Sequence, residues 1–416
     1  MEKKKKPAIR FKGFTDSWEQ RKFDKWGDFY YGHSCPKWSV TEDATIPCIR
    51  YGELYTKFGA KIDKVYSYTN MPTEKLRFSK GTEVLIPRVG EDPMDYNHCT
   101  WLSLKDVAIG EMISVFNTDQ DPLFSATMFN ATLQKEFAIR VEGGSVTNLY
   151  FDKLRNIDIS YPLLAEQKKI AAFFENLDHL ITLHQRKYDK LQIIKKAMLE
   201  KMFPQNGSCF PEIRFKGFTD SWEQRKLGDV VNRVTRKNQD LVSELPLTIS
   251  AQYGLIDQNE FFDKRVASKD VSGYYLIENG EFAYNKSTST DAPWGAVKRL
   301  DHYENGVLST LYIVFGIKEN NPIDSNFLVS YYNTNLWHKG IREIAAEGAR
   351  NHGLLNIVPA DFFETELMIP QDIEEQKQIG KFFKGLEALI TLHQRMQKNS
   401  KQYIITMKSI LNNIKY

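Results

Sequence analysis

The chain has 416 residues, of which 42% are hydrophobic and 26% are charged, and its formal net charge is +3. That length can form two or three domains with substantial cores, and no apolar run approaches the length of a membrane span. The lysines near the N-terminus have no apolar segment behind them, and the four cysteines have no Cys-x-x-Cys spacing. We therefore expect a cytoplasmic protein without a disulfide framework. The small net charge neither requires nor excludes nucleic acid, because the distribution of charge matters more than its sum.

The first element in chain order is a short segment that occurs twice. Residues 9–22, with the sequence IRFKGFTDSWEQRK, recur without a change as residues 213–226. In each copy an Asp-Ser pair precedes a tryptophan and can cap a helical turn, so we predict such turns from Trp18 and from Trp222. The tryptophans are predicted to anchor the segment on the domain that follows it.

A region rich in short strand-like runs follows each copy of the short segment. In the first half the predicted strands cover residues 46–51, 83–87, 106–109, 113–116 and 137–141. In the second half they cover residues 247–250, 281–284, 296–300 and 312–317, and a helix over 325–332 is predicted to continue toward 342–346. Each region is therefore predicted to be a mixed α/β globule, which gives the chain an α+β class.

A second repeat opens a long helix in each half. Residues 166–186 and 375–395 are identical at fourteen of twenty-one aligned positions. Apolar residues at three-four spacing continue to about residues 203 and 414, which predicts two helices of roughly 55 to 60 Å. Each apolar stripe needs a partner, and we expect the two helices to cover each other. The connection between them permits either direction, and we predict an antiparallel coiled coil, which would create a pseudo-twofold axis between the half-chains.

The apolar stripes define the residues that we expect on the seam between the two helices. In the first helix they are Ile170, Phe173, Leu177, Leu180, His184, Leu191, Ile194 and Met198, and in the second they are Ile379, Phe382, Leu386, Leu389, His393, Met396, Tyr403, Met407, Ile410 and Ile414. His184 and His393 occupy equivalent positions, and buried histidines that set the register are favoured over a metal site or a pH switch. The acidic residues that open each repeat are explained by the helix macrodipole.

The sequence contains none of the common catalytic motifs. It has no GxxxxGK[ST] phosphate loop, no GxGxxG turn, no HExxH zinc motif and no GxSxG nucleophile elbow. The histidines and cysteines of the first globule match no common zinc spacing; they are His33, Cys35, Cys48, His98 and Cys99. We therefore predict a protein that is not an enzyme, with no catalytic residue and no metal site. Two divergent globules on a repeated framework favour a binding function.

Further local matches point to a known family. The helical repeat opens with Glu-Gln-x-x-Ile followed by Phe-Phe and Leu-Ile-Thr, and the short segment carries Trp-Glu-Gln-Arg-Lys. Residues 279–287 read NGEFAYNKS and residues 294–300 read WGAVKRL. With the tandem plan, these features make the chain resemble the specificity subunits of type I restriction-modification systems over essentially its whole length. Residues 23–25 read FDK where the second half has LGD at 227–229, so the first half departs from the pattern there.

The resemblance implies a set of domains and partners. Each globule would be a target recognition domain and each repeated helix a conserved spacer region, and the chain would bind double-stranded DNA. Two modification subunits, which bind S-adenosylmethionine and methylate adenine at N6, would assemble on it. Restriction subunits that use ATP and Mg²⁺ for cleavage would join them. This chain itself would hold no cofactor and would contact no membrane.

The predicted domain boundaries follow the repeats. The N-terminal tail with the first short segment covers residues 1–22, the first target recognition domain 23–161, the first spacer helix 162–204, the linker with the second short segment 205–226, the second target recognition domain 227–370 and the second spacer helix 371–416. We expect each recognition domain to read one half of a split DNA site, while the helices fix the unread gap between the halves.

The candidate DNA contacts are residues whose side chains can pair with base edges or phosphates. In the first globule they are Arg50, Tyr51, Lys57, Arg88, Ser145, Thr147 and Asn148, and in the second they are Arg236, Lys237, Lys286, Ser287, Thr288, Arg350, Asn351 and His352. Two other classes stay open. A coiled-coil scaffold that binds only proteins would suit the low net charge, and a cryptic nuclease or methyltransferase would have to act without the usual motifs.

Overall fold

The computed structural model describes residues 9–250, 253–290, 292–320, 323–345 and 353–412, and contacts divide the chain into two compact units. Unit 1 comprises Met1–Gln185 together with Gln394–Tyr416, and unit 2 comprises Arg186–His393. Each unit contains one globule, the first part of one long helix and the last part of the other. Among the described residues, no helix combines the length and the apolar character that a membrane span requires.

The elements of unit 1 are numbered in chain order. Its strands are β1 (Glu19–Lys22), β2 (Asp28–Tyr31), β3 (Ile46–Ile49), β4 (Lys61–Ile62), β5 (Ser67–Thr69), β6 (Phe78–Lys80), β7 (Glu83–Pro87), β8 (Val89–Gly90), β9 (Thr100–Leu102), β10 (Lys105–Ile109), β11 (Ile113–Asn117), β12 (Glu142–Gly143), β13 (Thr147–Asn148) and β14 (Asp158–Tyr161). Its helices are α1 (Tyr51–Thr56), α2 (Pro122–Thr132), α3 (Gln134–Ala138), α4 (Phe151–Leu154) and α5 (Leu164–Lys201), the last of which continues into unit 2.

The central sheet of unit 1 has the strand order β2-β11-β7-β9-β4, with β4 and β9 parallel and the other neighbours antiparallel. A second sheet has the order β5-β3-β10-β6, and a small one has the order β12-β13-β8. All residues of β7 are buried because core lies on both of its faces. Val84 and Ile86 pack into one cluster and Leu85 packs into another, as the alternation of side chains in a strand requires.

Unit 2 continues the numbering. Its strands are β15 (Glu223–Lys226), β16 (Val231–Val234), β17 (Leu247–Ser250), β18 (Gly254–Asp257), β19 (Tyr275–Glu278), β20 (Phe282–Asn285), β21 (Ala296–Arg299), β22 (Asn305–Leu308), β23 (Ile313–Ile317) and β24 (Glu366–Ile369). Its helices are α6 (Leu227–Val230), α7 (Gln258–Phe262), α8 (Ser325–Tyr332), α9 (His338–Ile344), α10 (Pro359–Phe363) and α11 (Ile373–Asn412), the last of which continues into unit 1.

The two globules share a framework, which confirms the predicted α+β class and the tandem repeat. In unit 2 the sheet order is β16-β23-β20-β21, so β16, β23 and β20 correspond to β2, β11 and β7 of unit 1. A glutamate closes the turn at the start of both β7 and β20: Glu83 is the first residue of β7, and Glu281 directly precedes β20. Glu83 accepts a hydrogen bond from the Lys80 nitrogen at 2.7 Å, and Glu281 accepts one from the Glu278 nitrogen at 2.8 Å.

The short segment forms a strand in both halves, so the predicted helical turns at Trp18 and Trp222 are wrong. β1 pairs with β14, and β15 pairs with β24, both antiparallel. These distant partners satisfy backbone groups that a helical turn would have satisfied locally, and the sequence window did not contain them. The anchoring role of the tryptophans is confirmed: Trp18 and Trp222 are 7% and 2% exposed within the cores.

A buried ion pair joins the short segment to the helical repeat in each half. The Arg10 Nε and Nη2 atoms lie 2.8 and 2.5 Å from the carboxylate oxygens of Glu166, and the same atoms of Arg214 lie 2.7 Å from those of Glu375. Glu166 and Glu375 are each 1% exposed. The macrodipole alone therefore does not explain these acidic residues, because each one neutralises a bidentate arginine.

The glutamine that follows each of these glutamates anchors the core helix of the globule. The Gln167 Oε1 atom accepts from the Asp121 nitrogen at 3.0 Å, and the Gln376 Oε1 atom accepts from the Asp324 nitrogen at 2.9 Å. Asp121 and Asp324 in turn cap α2 and α8. The Glu-Gln pair thus connects three elements in each half, which accounts for its occurrence in both copies.

The long helices run antiparallel, as predicted. In unit 1, Phe174 near the start of α5 shares a core with Leu411 near the end of α11. In unit 2, Met198 near the end of α5 packs against a core that contains Ile379 near the start of α11. The helices begin at Leu164 and Ile373 and end at Lys201 and Asn412, within about two residues of the predicted bounds.

The seam differs from the predicted one at several positions. Ile170, His184, Ile379 and Leu386 are buried, whereas Phe173, Leu177, Leu191, Ile194, Met198, Phe382, His393, Met407 and Ile410 are partly buried. Leu180, Leu389, Met396 and Tyr403 are exposed, and Ile414 lies outside the described residues. The run Leu-Ile-Thr-Leu offers two overlapping apolar stripes. The packing buries the isoleucine of the second copy, Ile390, and leaves the leucines on the outside.

Two further predictions from short apolar runs need correction. Residues 137–141 were predicted as a strand, but Phe137 lies in α3, where its nitrogen donates to the Leu133 oxygen at 2.8 Å. A short apolar run does not distinguish a buried strand from a buried helix. The helix predicted over 325–332 is present as α8, but it ends at Tyr332 and a separate helix, α9, follows; Ala346 lies outside the described residues.

Candidate nucleic-acid interface

One end of the central sheet in unit 1 gathers several chain segments around the loop of residues 110–112, between β10 and β11. The Gly110 nitrogen donates to the Ile49 oxygen at 2.9 Å, and the Arg88 nitrogen donates to the Met112 oxygen at 3.2 Å. A Cβ atom at position 110 would lie 2.8 Å from the Ile49 oxygen, so glycine permits this close approach. The residues at this end form a surface that we name edge 1; it comprises Tyr31, Arg50, Tyr51, Arg77, Arg88, Asn148 and Tyr150.

Arg88, directly after β7, lies at the centre of edge 1. Its guanidinium carbon lies 4.9 Å from the centre of the Tyr31 ring and 5.9 Å from that of Tyr150. The Nη2 atom donates to the Met112 sulfur at 2.9 Å, and the buried Nε atom has no hydrogen-bond partner. Among the described residues no carboxylate lies within ion-pair distance of Arg88. Two aromatic rings therefore hold an arginine whose charge is not neutralised.

Arg77 repeats this arrangement beside it. Its guanidinium carbon lies 5.0 Å from the centre of the Tyr30 ring, and its Nη1 atom donates to the Tyr31 oxygen at 2.7 Å. Burial raises the pKa of the Tyr30 and Tyr31 hydroxyls, so both stay protonated at neutral pH. Edge 1 thus presents cations and neutral tyrosines, a combination that suits a polyanion with flat bases.

Arg50, Tyr51 and Lys57 were predicted as DNA contacts and lie on or next to α1. The Arg50 nitrogen donates to Glu53 at 2.8 Å, which fixes the start of the helix, and Tyr51 is 37% exposed. The Tyr55 hydroxyl donates to the Val89 oxygen at 3.0 Å, which ties α1 to the segment after Arg88. Lys57 is exposed after the last helical residue, about 9 Å along the helix from Tyr51. The structure therefore places Arg50 and Tyr51 on edge 1 and Lys57 beyond it.

Ser145, Thr147 and Asn148 were predicted as DNA contacts, and they lie in the hairpin of β12 and β13. β13 pairs with β8, which brings Asn148 opposite Val89. Thr147 is 5% exposed, and its hydroxyl donates to the Gly90 oxygen at 3.0 Å. Thr147 therefore holds the hairpin in place and is not free to contact DNA. Ser145 is exposed, and Asn148 is partly exposed.

Lys286 in unit 2 occupies the backbone position that Arg88 occupies in unit 1. The Leu355 nitrogen donates to the Lys286 oxygen at 3.0 Å, as the Leu149 nitrogen donates to the Arg88 oxygen at 2.8 Å. Burial lowers the pKa of Lys286. We name the surface around it edge 2; it comprises Lys286, Ser287 and Thr288.

Edge 2 keeps the backbone arrangement of edge 1, but no ring lies over Lys286 among the residues that the structure describes. Ser287 is exposed and bridges to Leu354, and the Thr288 hydroxyl donates to the Gly353 oxygen at 3.1 Å. The hydrogen bonds of Leu149 and Leu355 make Asn356 correspond to Tyr150, and Thr235, one residue beyond the last registered pair of β16, corresponds to Tyr31 in sequence. Three predicted contacts of this half, Arg350, Asn351 and His352, lie outside the described residues.

Arg236 and Lys237 were also predicted as contacts, and the structure does not bring them to edge 2. The Arg236 Nη2 atom lies 3.0 Å from Glu281 and 3.3 Å from Glu278, so two carboxylates neutralise it. Lys237 donates to the Gly273 oxygen at 2.8 Å. Glu281 precedes β20 and Lys286 follows it, so the backbone positions of Glu281 and Lys286 lie roughly 16 Å apart along the strand. Arg236, which pairs with Glu281, is therefore at the opposite end of β20 from edge 2.

Sequence reasoning missed Tyr31, Arg77 and Tyr150. Tyr31 and Tyr150 are far from Arg88 in sequence and reach it only through the pairing of β2 with β11 and of β13 with β8. The adjacent pair Tyr30–Tyr31 in a strand was the available signal, because two exposed or half-exposed aromatics in one strand are suited to stacking. No local pattern indicated Arg77.

The cysteines of the first globule occupy the interior. Cys35, Cys48 and Cys99 are buried, and a hydrogen bond between the Cys35 and Cys48 thiols lowers the pKa of the first and, with burial, raises that of the second. Within the described part of the chain, no three histidine, cysteine, aspartate or glutamate side chains are arranged to hold a metal ion. His98 contacts Asp95 at 3.0 Å and packs beside Tyr55.

A comparison with protein-family models gives one match. The family is described as "Type I restriction modification DNA specificity domain", and it matches residues 106–192 and 219–401. The first matched range includes the end of the first globule and the start of α5, and the second includes most of unit 2 and of α11. A comparison with curated protein sequences gives no match.

A comparison with solved structures gives matches that cover almost the whole chain at low sequence identity. The S subunit of a type I restriction-modification system from M. genitalium has a TM-score of 0.59 and 12% identity, with 97% of this chain and 98% of that chain covered. The HsdS subunit from Thermoanaerobacter tengcongensis has a TM-score of 0.45 and 13% identity, with 95% and 96% covered. The first of these likenesses shows a shared fold.

Proposed function

This chain belongs to the family of type I restriction-modification DNA specificity domains. We propose that it recognises the two halves of a split DNA site, one with each unit, and we call the base sequence of each half a word. The observation that carries the proposal is the correspondence of edge 1 and edge 2. The same backbone position, fixed by the same hydrogen bond, presents Arg88 in one unit and Lys286 in the other. Divergent side chains on a shared framework are suited to reading two different words.

The repeated parts of the chain supply the spacing between the words. The same Arg-Glu pair joins each short segment to its long helix, and the same glutamine joins that helix to its globule, so these positions are constrained in both halves. At 1.5 Å per residue, α5 spans about 57 Å, which exceeds the roughly 34 Å between half-sites that are one turn of DNA apart. Helix length would then determine the unread gap.

The chemistry is assigned to partner subunits. Two modification subunits would bind S-adenosylmethionine and methylate adenine at N6, and restriction subunits would cleave with ATP and Mg²⁺. Each copy of the run Leu-Ile-Thr-Leu exposes its two leucines, Leu180 with Leu183 and Leu389 with Leu392. Two equivalent apolar surfaces suit two copies of one partner. The chain would act in the cytoplasm as a subunit that is not itself an enzyme.

A map of adenine methylation tests this proposal. The chain is expressed with its modification subunit in a host that lacks adenine methylation, and N6-methyladenine is located at base resolution. We expect a two-part motif with a fixed unread gap, absent when this chain is omitted. A stable complex with an active modification subunit that methylates no such motif would contradict the proposal and would favour a scaffold that binds only proteins.

A further inference from the structure

Several arginines stack on aromatic rings, both at edge 1 and elsewhere in the chain. Among the described residues, the stacked arginines outside edge 1 pair with carboxylates, and those of edge 1 do not. Away from edge 1, Arg21 over Trp26 pairs with Glu19, Arg155 over Phe151 pairs with Asp152, and Arg299 over Phe282 pairs with Asp301. At edge 1, Arg77 and Arg88 have tyrosines but no carboxylate within ion-pair distance in the described part of the chain. The stacked arginines of edge 1 are thus the ones with charge available for a ligand.

An unneutralised, half-buried guanidinium reduces the stability of the folded chain. Arg88 has given up part of its hydration, and its Nη2 atom donates to a thioether, which is a weak acceptor. The Nε atom is enclosed by protein, so a ligand can meet only the outer end of the guanidinium, where strong acceptors would replace the lost hydration. DNA offers two kinds of acceptor to such a group, phosphate oxygens and the O6 and N7 atoms of guanine.

The rings favour guanine over phosphate. A phosphate contact needs positive charge within reach, and a flexible lysine provides it. A planar donor with two N–H groups in a fixed direction suits guanine best, because both of its hydrogen bonds form in the plane of the base. Tyr31 and Tyr150 restrict the plane of the Arg88 guanidinium. Among the described residues, no aromatic ring lies over Lys286 at the corresponding position.

We propose that Arg88 reads a guanine in the word of unit 1, and that Tyr31 and Tyr150 are positioning residues that hold its guanidinium for that contact. This inference rests on the proposed function, since it assumes that unit 1 reads DNA. It assigns one letter of one word to one side chain, and it assigns no base-specific role to Lys286.

The variants Arg88→Lys and Arg88→Gln, in the full complex with the modification subunit, test the base contact. The methylation map should show that one guanine position of one half of the motif becomes degenerate, with discrimination at that position reduced roughly tenfold to a hundredfold. The other half of the motif should stay unchanged, which also shows that the complex has assembled. The matched control is Arg21→Lys, since Arg21 also stacks on an aromatic ring but pairs with Glu19.

Two variants at Tyr150 test the positioning role. Tyr150 is 37% exposed, so its replacement should leave folding intact. Tyr150→Leu removes the ring and should relax the same guanine position, whereas Tyr150→Phe keeps the ring and should preserve the wild-type word. A role in stability alone would lower methylation at every site without changing the word.

The outcomes separate this inference from the proposed function. A wild-type map without a two-part motif contradicts the proposed function itself. A wild-type two-part motif that Arg88→Lys and Arg88→Gln leave unchanged, or weaken equally at all sites, overturns the guanine contact and indicates phosphate binding at most. A relaxed word in Arg88→Lys together with a sharp word in Tyr150→Leu overturns the positioning role.

Discussion

Edge 1 and edge 2 share a backbone arrangement but differ in the side chains that surround it. Arg88 and Lys286 hold the same backbone hydrogen bond, yet Arg88 has Tyr31 and Tyr150 beside it, whereas the corresponding sequence positions of unit 2 are Thr235 and Asn356. The first arrangement fixes the direction of a planar donor, and the second leaves a flexible point charge. The framework therefore determines where a side chain meets its ligand, and the neighbouring side chains determine how selectively it does so.

The short segment and the long helix, which are repeated in both halves, contact each other within each half. Arg10 pairs with Glu166 and Arg214 pairs with Glu375, so each short segment is matched to its own helix. A change in either partner leaves a buried charge without its counterion. These contacts constrain Arg10 and Arg214, which occupy the same position of the two identical segments.

The largest expected effect comes from breaking one framework pair. Glu375→Ala should lower the free energy of unfolding by about 3–5 kcal/mol, because Arg214 stays buried without a counterion. Chemical denaturation of the complex measures it. The matched control is Glu364→Ala, since Glu364 pairs with Lys226 at the surface, where both side chains are more than half exposed, and a loss within about 1 kcal/mol is expected. Equal losses in the two variants would contradict the assigned role of the buried pair.

Replacing Lys286 should have a smaller effect, on DNA affinity, and should show that edge 2 binds DNA differently from edge 1. Lys286→Ala should weaken binding to all sites several-fold and leave both words unchanged, because a lysine ammonium contacts a phosphate as a flexible point charge. The slope of log affinity against log salt concentration should become less steep by about one. A changed word in the methylation map, with an unchanged salt slope, would instead show that Lys286 reads a base.

Local sequence patterns predicted the parts of the fold that depend on local structure. The long helices and α8 have apolar residues at helical spacing throughout, and their predicted bounds agree closely with the structure. β1 was missed because its partner β14 lies at the other end of the globule, where Glu19 is opposite Tyr161. A window of neighbouring residues contains no information about such a partner.

The same limit of local sequence applies to the candidate DNA contacts. Arg88 and Lys286 could be proposed from their charge and from the turn residues around them. Arg236 could not be ruled out from sequence, because its counterions Glu278 and Glu281 reach it only through the folded sheet. Thr147 likewise has a hydroxyl suited to DNA, but the hairpin uses it internally. Sequence chemistry identifies donors, and the fold decides which of them remain available.

The central claim is that the framework sets the gap and the globules set the words. The most direct measurement inserts seven residues into each long helix, after Arg186 and after Arg395, at equivalent positions of the repeat. Seven residues add about 10.5 Å and keep the seam in register, which corresponds to at most about three base pairs. The methylation map should show the same two words with a longer gap. An active complex with altered words, or with the original gap, would contradict the account.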